Sequence, residues 1–149
     1  VLVMDKWDER FLNLAKEIST WSKDPNTKVG AVAIGEKGEV LAQGYNGFPR
    51  GVQDLDERYN DQELKYRYVV HAEMNCIYNA GYNGASLDGA HLYVYGLPVC
   101  NDCAKGIIQV GIERVISPKN GMEVSEKWKV SCIDTVSMFK EVGVEYDFI

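Results

Sequence analysis

Along the first third of the chain the apolar positions change their period. Phe11, Leu14, Ala15, Ile18 and Trp21 recur at three- and four-residue spacing, which predicts an amphipathic helix over 8–21. Asp5 or Asp8 is placed to cap its start, and Lys23-Asp24-Pro25-Asn26 ends it. The short apolar runs 29–34 and 40–45, joined by the turn Glu36-Lys37-Gly38, predict a β-hairpin. Between 46 and 70 the pattern dissolves among charges and the loop residues Gly47, Pro49 and Gly51. A connection of that length is uncommon unless it is functional, and its part around Asp54 to Leu64 is compatible with a helix.

From residue 70 onward the pattern alternates. It predicts a helix over 71–80, a strand over 91–95, a helix over 101–110, a strand over 113–117, a helix over 124–141 and a strand over 144–148. Such alternation implies right-handed crossovers, so the last three strands are expected to be parallel. The chain reads as one α/β domain over 1–149, a mixed sheet of five strands sandwiched by helices. No repeat or low-complexity tract divides it.

Composition narrows the partners. A chain of 149 residues, 46% apolar and 26% charged, can bury a core of its own. No window approaches the ~20 consecutive apolar residues of a membrane span. Val1 to Asp5 is too short and too soon polar for a secretory signal. The expectation is a cytoplasmic protein without a membrane partner. The net charge is −6 and the pI about 4.9, so there is no bulk basic surface to displace counterions from a polynucleotide. That weighs against a nucleic-acid partner but leaves room for one nucleotide in a small positive pocket. In a reducing compartment the spacing of Cys100 and Cys103 points to metal or redox chemistry, not to a disulfide framework.

His71, Cys100 and Cys103 form a candidate metal site. Each falls where a helix is expected to begin, and thiols three residues apart sit on neighbouring faces. The helix N-terminus favours thiolates, and soft sulfur with imidazole suits Zn²⁺. Three protein ligands leave the fourth tetrahedral position to water, as at catalytic zinc. Glu73 stands two residues after His71, roughly 200° around an ideal helix. At a first turn both side chains can still reach an ion off the helix end, so Glu73 is the candidate proton carrier beside a zinc-activated water. A Cys-x-x-Cys pair alone also fits redox chemistry, and a closed structural site would need a further ligand. Cys132 and His91 remain open for that role, whereas Cys76 would point elsewhere on its helix. Cys76 and Cys132 read more simply as small core residues, and His91 as a strand start.

His-x-Glu followed by Cys-x-x-Cys is the signature of zinc deaminases of nucleobases. Here it stands as His71-Ala72-Glu73 and Pro98-Val99-Cys100-Asn101-Asp102-Cys103. On these motifs the chain resembles the cytidine and deoxycytidylate deaminase superfamily, and within it the dCMP deaminases. The likeness extends over 22–31 (SKDPNTKVGA), 44–51 (GYNGFPRG), 65–75 (KYRYVVHAEMN) and 100–105 (CNDCAK). One departure is visible: the family has proline immediately before the first cysteine, whereas Val99 intervenes here and lengthens the turn by a residue.

The resemblance implies a three-layer α/β/α cytidine-deaminase-like fold and hydrolytic deamination of dCMP to dUMP and ammonia. It implies one Zn²⁺ held by His71, Cys100 and Cys103, with Glu73 carrying protons to N3 and to the departing amine. It nominates the backbone at Ala72 for the base, Asn46 for the sugar or base, and Ser22, Lys23 and Lys28 for the 5′-phosphate. It further implies a homo-oligomer, a hexamer, activated by dCTP with Mg²⁺ and inhibited by dTTP, with Gly44, Tyr45, Asn46, Gly47 and Arg50 at the effector site. The alternatives are another free cytosine nucleotide or nucleoside (dCTP, deoxycytidine), a nucleic-acid-editing deaminase, or a protein in which zinc only holds the fold.

Overall fold

The computed structural model describes residues 5–119 and 124–149. Helix α1 (Lys6–Ser19) begins at Asp5, whose carboxylate accepts from the backbone N–H groups of Trp7 and Asp8. It buries Asp8, Leu12, Ala15 and Ile18 along one stripe. The helix stops two residues short of the expected end, where the N–H groups of Thr20, Trp21 and Ser22 turn to carbonyls three residues back, those of Glu17, Ile18 and Ser19. Asp24 Oδ1 accepts from the N–H of Asn26 and of Thr27. Trp21 therefore leaves the apolar stripe; it is 51% exposed and stands edge-on to Tyr45.

Strands β1 (Gly30–Ile34) and β2 (Val40–Tyr45) form the expected hairpin. The stretch that follows is not a bare loop. It holds helices α2 (Asp56–Asn60) and α3 (Gln62–Tyr68), the second capped by Asp61. An isolated bridge between Gly47 and Val70 closes its ends, and Phe48 stacks on Tyr59 at 4.2 Å inside it. Helix α4 (Ala72–Asn83), strand β3 (His91–Tyr95), helix α5 (Asn101–Gln109), strand β4 (Arg114–Ser117), helix α6 (Glu126–Val142) and strand β5 (Glu145–Phe148) complete the chain.

The sheet order is β2-β1-β3-β4-β5. β1 is antiparallel to both β2 and β3, while β3, β4 and β5 run parallel as the alternation predicted. Alternate side chains separate two cores. Val32, Ile34, Tyr93 and Ile116 pack with Leu12, Ala15 and Ile18 of α1. Ala31, Ala33, Leu92, Val94 and Val115 face the other way, against Cys76 and Ala80 of α4, Cys103 and Ile107 of α5 and Phe139 of α6. The result is the expected three-layer α/β/α arrangement on a five-stranded mixed sheet.

Small residues set how close the layers come. A Cβ on Gly44 of β2 would lie 2.3 Å from the backbone nitrogen of Cys76 and 2.7 Å from the carbonyl oxygen of Ala72. Only glycine lets β2 approach α4 so closely, and this contact fixes where the first turn of α4 sits.

Candidate metal centre and active site

Two helix starts supply the site. His71 is the N-cap of α4 with extended backbone (φ −69°, ψ 154°) and makes no side-chain capping bond. Its ring is free to turn away from the helix. Cys100 holds the same position on α5 (φ −78°, ψ 165°), and its Sγ accepts from the N–H of Cys103. Sequence placed all three residues in first turns. His71 and Cys100 in fact stand one residue outside, and that extended step lets two separate helices aim at one point.

His71 Nδ1 lies 3.4 Å from Cys100 Sγ and 3.4 Å from Cys103 Sγ. Bonds of about 2.0 Å to nitrogen and about 2.3 Å to sulfur at a tetrahedral angle would place N and S about 3.5 Å apart. The donor set thus fits one zinc ion. Among the described residues this is the one cluster of such groups. Cys76 is fully buried and its thiol is pushed up to about 12 by burial. Cys132 lies half-buried on α6, and His91 pairs with Glu113 at 3.2 Å at the start of β3. None of the three joins the cluster.

The Cys100 thiol is drawn down to about 4, chiefly by a hydrogen bond from Cys103 and then by one from His71. Its bond to Cys100 in turn raises His71. Glu73, in the first turn of α4, is 3% exposed. Burial pushes its carboxyl up to about 7, against the opposing charge of His71. His71, Ala72 and Glu73 line a cavity of about 440 Å³ shared with Asn46, Lys65 and Trp128. That size is ordinary for a small-molecule site.

The family described as the cytidine and deoxycytidylate deaminase zinc-binding region matches residues 5–118. The chain belongs to that family. A mouse deoxycytidylate deaminase is 38% identical over 95% of this chain and 78% of its own length. An uncharacterized deaminase encoded in the luxG 3′ region of Aliivibrio fischeri is 35% identical over 99% of this chain and 96% of its own. Among solved structures, the dCMP deaminase of cyanophage S-TIM5 in complex with dCMP and dUMP superposes with a TM-score of 0.77 at 25% identity, covering 99% of this chain and 100% of that one.

Within this family member the other nominated residues scatter. Ala72 is fully buried and faces the cavity. Asn46 also lines it, but its carboxamide is committed: Oδ1 accepts from Val29 N at 2.8 Å and Nδ2 donates to Thr27 O at 2.9 Å. Ser22 is buried and donates to the carbonyl of Asn46 at 2.8 Å. Lys28 donates to the carbonyl of Ser22. Lys23 is exposed and pairs with Asp54 at 2.9 Å. Ser22, Lys23 and Lys28 are thus not among the residues lining the cavity.

Of the effector group, Gly44 is buried against α4 and Gly47 bridges to Val70. Tyr45 meets Trp21. Arg50 reaches the outer side of α4, donating to Asn79 Oδ1 at 2.6 Å and lying 5.4 Å over the ring of Tyr82.

Sequence reasoning missed Lys65, Asp24 and Trp128, all of which line the cavity. Lys65 Nζ lies 2.7 Å from Oδ2 of fully buried Asp24. A signal existed for this pair, because both residues stand in the segments that carry the resemblance. Trp128, whose ring centroid is 5.8 Å from that of His71, had none.

Proposed function

We propose that the chain is a zinc-dependent hydrolase that converts dCMP and water to dUMP and ammonia. The observation that carries this reading is the His71–Cys100–Cys103 cluster, whose His71 lines one cavity together with the buried Glu73 carboxyl. When bound, zinc supplies a water of lowered pKa, toward about 7. Glu73 would take a proton from the attacking water and pass it to ring N3 as the oxygen bonds to C4, then carry the proton of the new C4 hydroxyl to the amino group, so that the C4–N bond breaks to give ammonia and the carbonyl of uracil. A carboxyl shielded from solvent suits this exchange because it holds a proton in one step and releases it in the next. The wall around Ala72 and Trp128 excludes bulk water and holds the base beside His71 and Glu73.

A free nucleotide is favoured by the size of the cavity and by the naming of the mouse relative and of the phage structure. Lys65, the lysine on the cavity wall, offers a donor for the 5′-phosphate. Ser22 and Lys28 would serve only through the backbone they brace, and Lys23 is engaged by Asp54 away from the cavity lining. The same reading extends to a cytoplasmic homo-hexamer activated by dCTP with Mg²⁺ and restrained by dTTP, with Arg50 as the cation for a triphosphate. Four free thiols are consistent with a reducing compartment.

Ammonia release from dCMP, deoxycytidine, cytosine and dCTP, each with and without added dCTP or dTTP, tests the proposal. The expected result is a clear preference for dCMP and a sigmoidal rate curve shifted by the triphosphates. Equal turnover of deoxycytidine would remove the phosphate from the recognition scheme. A hyperbolic curve unmoved by dCTP or dTTP would remove the regulation.

A further inference from the structure

The turn that delivers Cys100 to the metal centre is one residue longer than the Pro-Cys step of the family signature, and the extra residue, Val99, is fully buried. An added residue brings an added N–H and C=O, each costly to bury without a partner. Here successive polar groups of the turn are met by side chains from α6 and β5. Trp128 Nε1 donates to the carbonyl of Pro98 at 3.0 Å. Val99 N donates to the hydroxyl of Tyr146 at 3.0 Å, and Val99 O accepts from the hydroxyl of Thr135 at 2.9 Å. Beyond the cysteine, Asn101 N donates to Ser131 Oγ at 2.8 Å.

Trp128, Ser131 and Thr135 are spaced i, i+3 and i+7 and so share one face of α6. Thr135 is fully buried. The Tyr146 phenol is pushed up to about 12 by burial and stays protonated at any working pH. The two sides of Val99 are thereby fixed, and the next atom along the chain is the backbone nitrogen of a ligand. Ligand direction at a metal is set by such outer hydrogen bonds as much as by the ligands themselves.

We propose that Thr135 and Tyr146, with Ser131, are positioning residues that clamp the lengthened turn, so that the sulfur of Cys100 faces His71 and both thiolates meet one ion. They touch neither substrate nor metal and act only through the backbone of residues 98–101. The inference rests on the zinc reading of His71, Cys100 and Cys103, which the metal content of the unsubstituted protein tests separately.

The experiment compares Thr135→Val, Tyr146→Phe and Ser131→Ala with Thr135→Ser, which restores a hydroxyl. Tyr93→Phe serves as control, since it removes a buried hydrogen bond to Asp8 in the core on the α1 face of the sheet. Each protein is loaded with zinc and titrated against a chelator, then loaded with Co²⁺ to read the visible ligand-field and thiolate charge-transfer bands. The expected result is zinc held about tenfold or more weakly in Thr135→Val and in Tyr146→Phe. Their cobalt bands should be shifted, Thr135→Ser should stay near wild type, and Tyr93→Phe should melt earlier with unchanged metal spectra. Folded variants that melt earlier but keep wild-type zinc affinity and cobalt spectra would overturn the proposal, because a purely structural role predicts that outcome. If Thr135→Val does not fold, Tyr146→Phe and Ser131→Ala decide by the same two readings.

Discussion

His71 and Cys100 act from positions where a helix has not yet begun. Each has extended backbone and each hands the chain to a helix at the next residue, so imidazole and thiolate project off the helix ends. Glu73, in the first turn, is carried by the helix itself and stays buried beside the imidazole. Its role is open to direct test. Glu73→Gln keeps the shape and the burial but cannot carry a proton. The expected outcome is a fall in dCMP turnover of at least about a hundredfold, with zinc stoichiometry and melting temperature retained. Turnover near wild type would show that the proton travels by another group.

Between elements, two contacts make separate predictions. Gly44→Ala places a methyl group against the backbone of α4, and neither partner is a flexible side-chain end. A cost of about 1–3 kcal/mol is expected, visible as a lower denaturant midpoint, together with reduced turnover because the displaced helix carries Glu73. The second contact joins α1 to the sheet. Tyr93 donates to Asp8 at 2.5 Å, while Arg114 reaches Asp8 at 3.1 and 3.2 Å and Asp147 at 2.7 Å. Burial alone would raise the Asp8 pKa, but the bonds from Arg114 and Tyr93 outweigh it and hold the carboxyl below the ordinary aspartate value. A depressed folded-state pKa stabilises the fold above the unfolded value and ceases to do so as pH falls through the folded one. Urea midpoints should therefore hold from neutral pH down to about pH 4 and decline below it. In Arg114→Met a loss of about 3 kcal/mol is expected at neutral pH from leaving the buried Asp8 carboxylate without its cation, and this deficit relative to wild type should shrink as pH falls and the carboxyl takes up a proton in the folded state.

The same elements show what the letters could and could not reveal. β2 and β3 were legible to the residue, and β1 to within one, because apolar runs bounded by turn residues have few other solutions. The end of α1 was not legible. Trp21 fits the period, yet its N–H bonds three residues back to Ile18, and a window of hydrophobicity does not count hydrogen bonds. The clustering of His71, Cys100 and Cys103 could be anticipated because such residues are rare at that spacing. Lys65 and Asp24 stood in segments that carry the resemblance, but their pairing was not legible, since contact across 41 positions depends on how α3 folds back. Trp128 and Thr135 reach the site through α6 packing, which no local pattern encodes.

At the scale of the whole molecule, the candidate metal centre joins two junctions of the fold, with Cys100 and Cys103 lying 29 and 32 residues beyond His71 in sequence. Removal of zinc should thus be felt beyond the cavity. Binding at a hundredfold excess over its dissociation constant contributes about 2.7 kcal/mol, so exhaustive chelation is expected to lower the melting temperature by about 5–10 °C as well as to abolish turnover. Calorimetry with and without chelator checks this, and an unchanged melting temperature would confine the ion to catalysis. An ion gripped by residues on either side of β3 behaves as a reversible cross-link, shortening the excursions open to everything threaded between α4 and α5. Copies synthesised under zinc starvation would then be preferred prey for proteases, so metal supply would govern how long each molecule survives in addition to how fast it works.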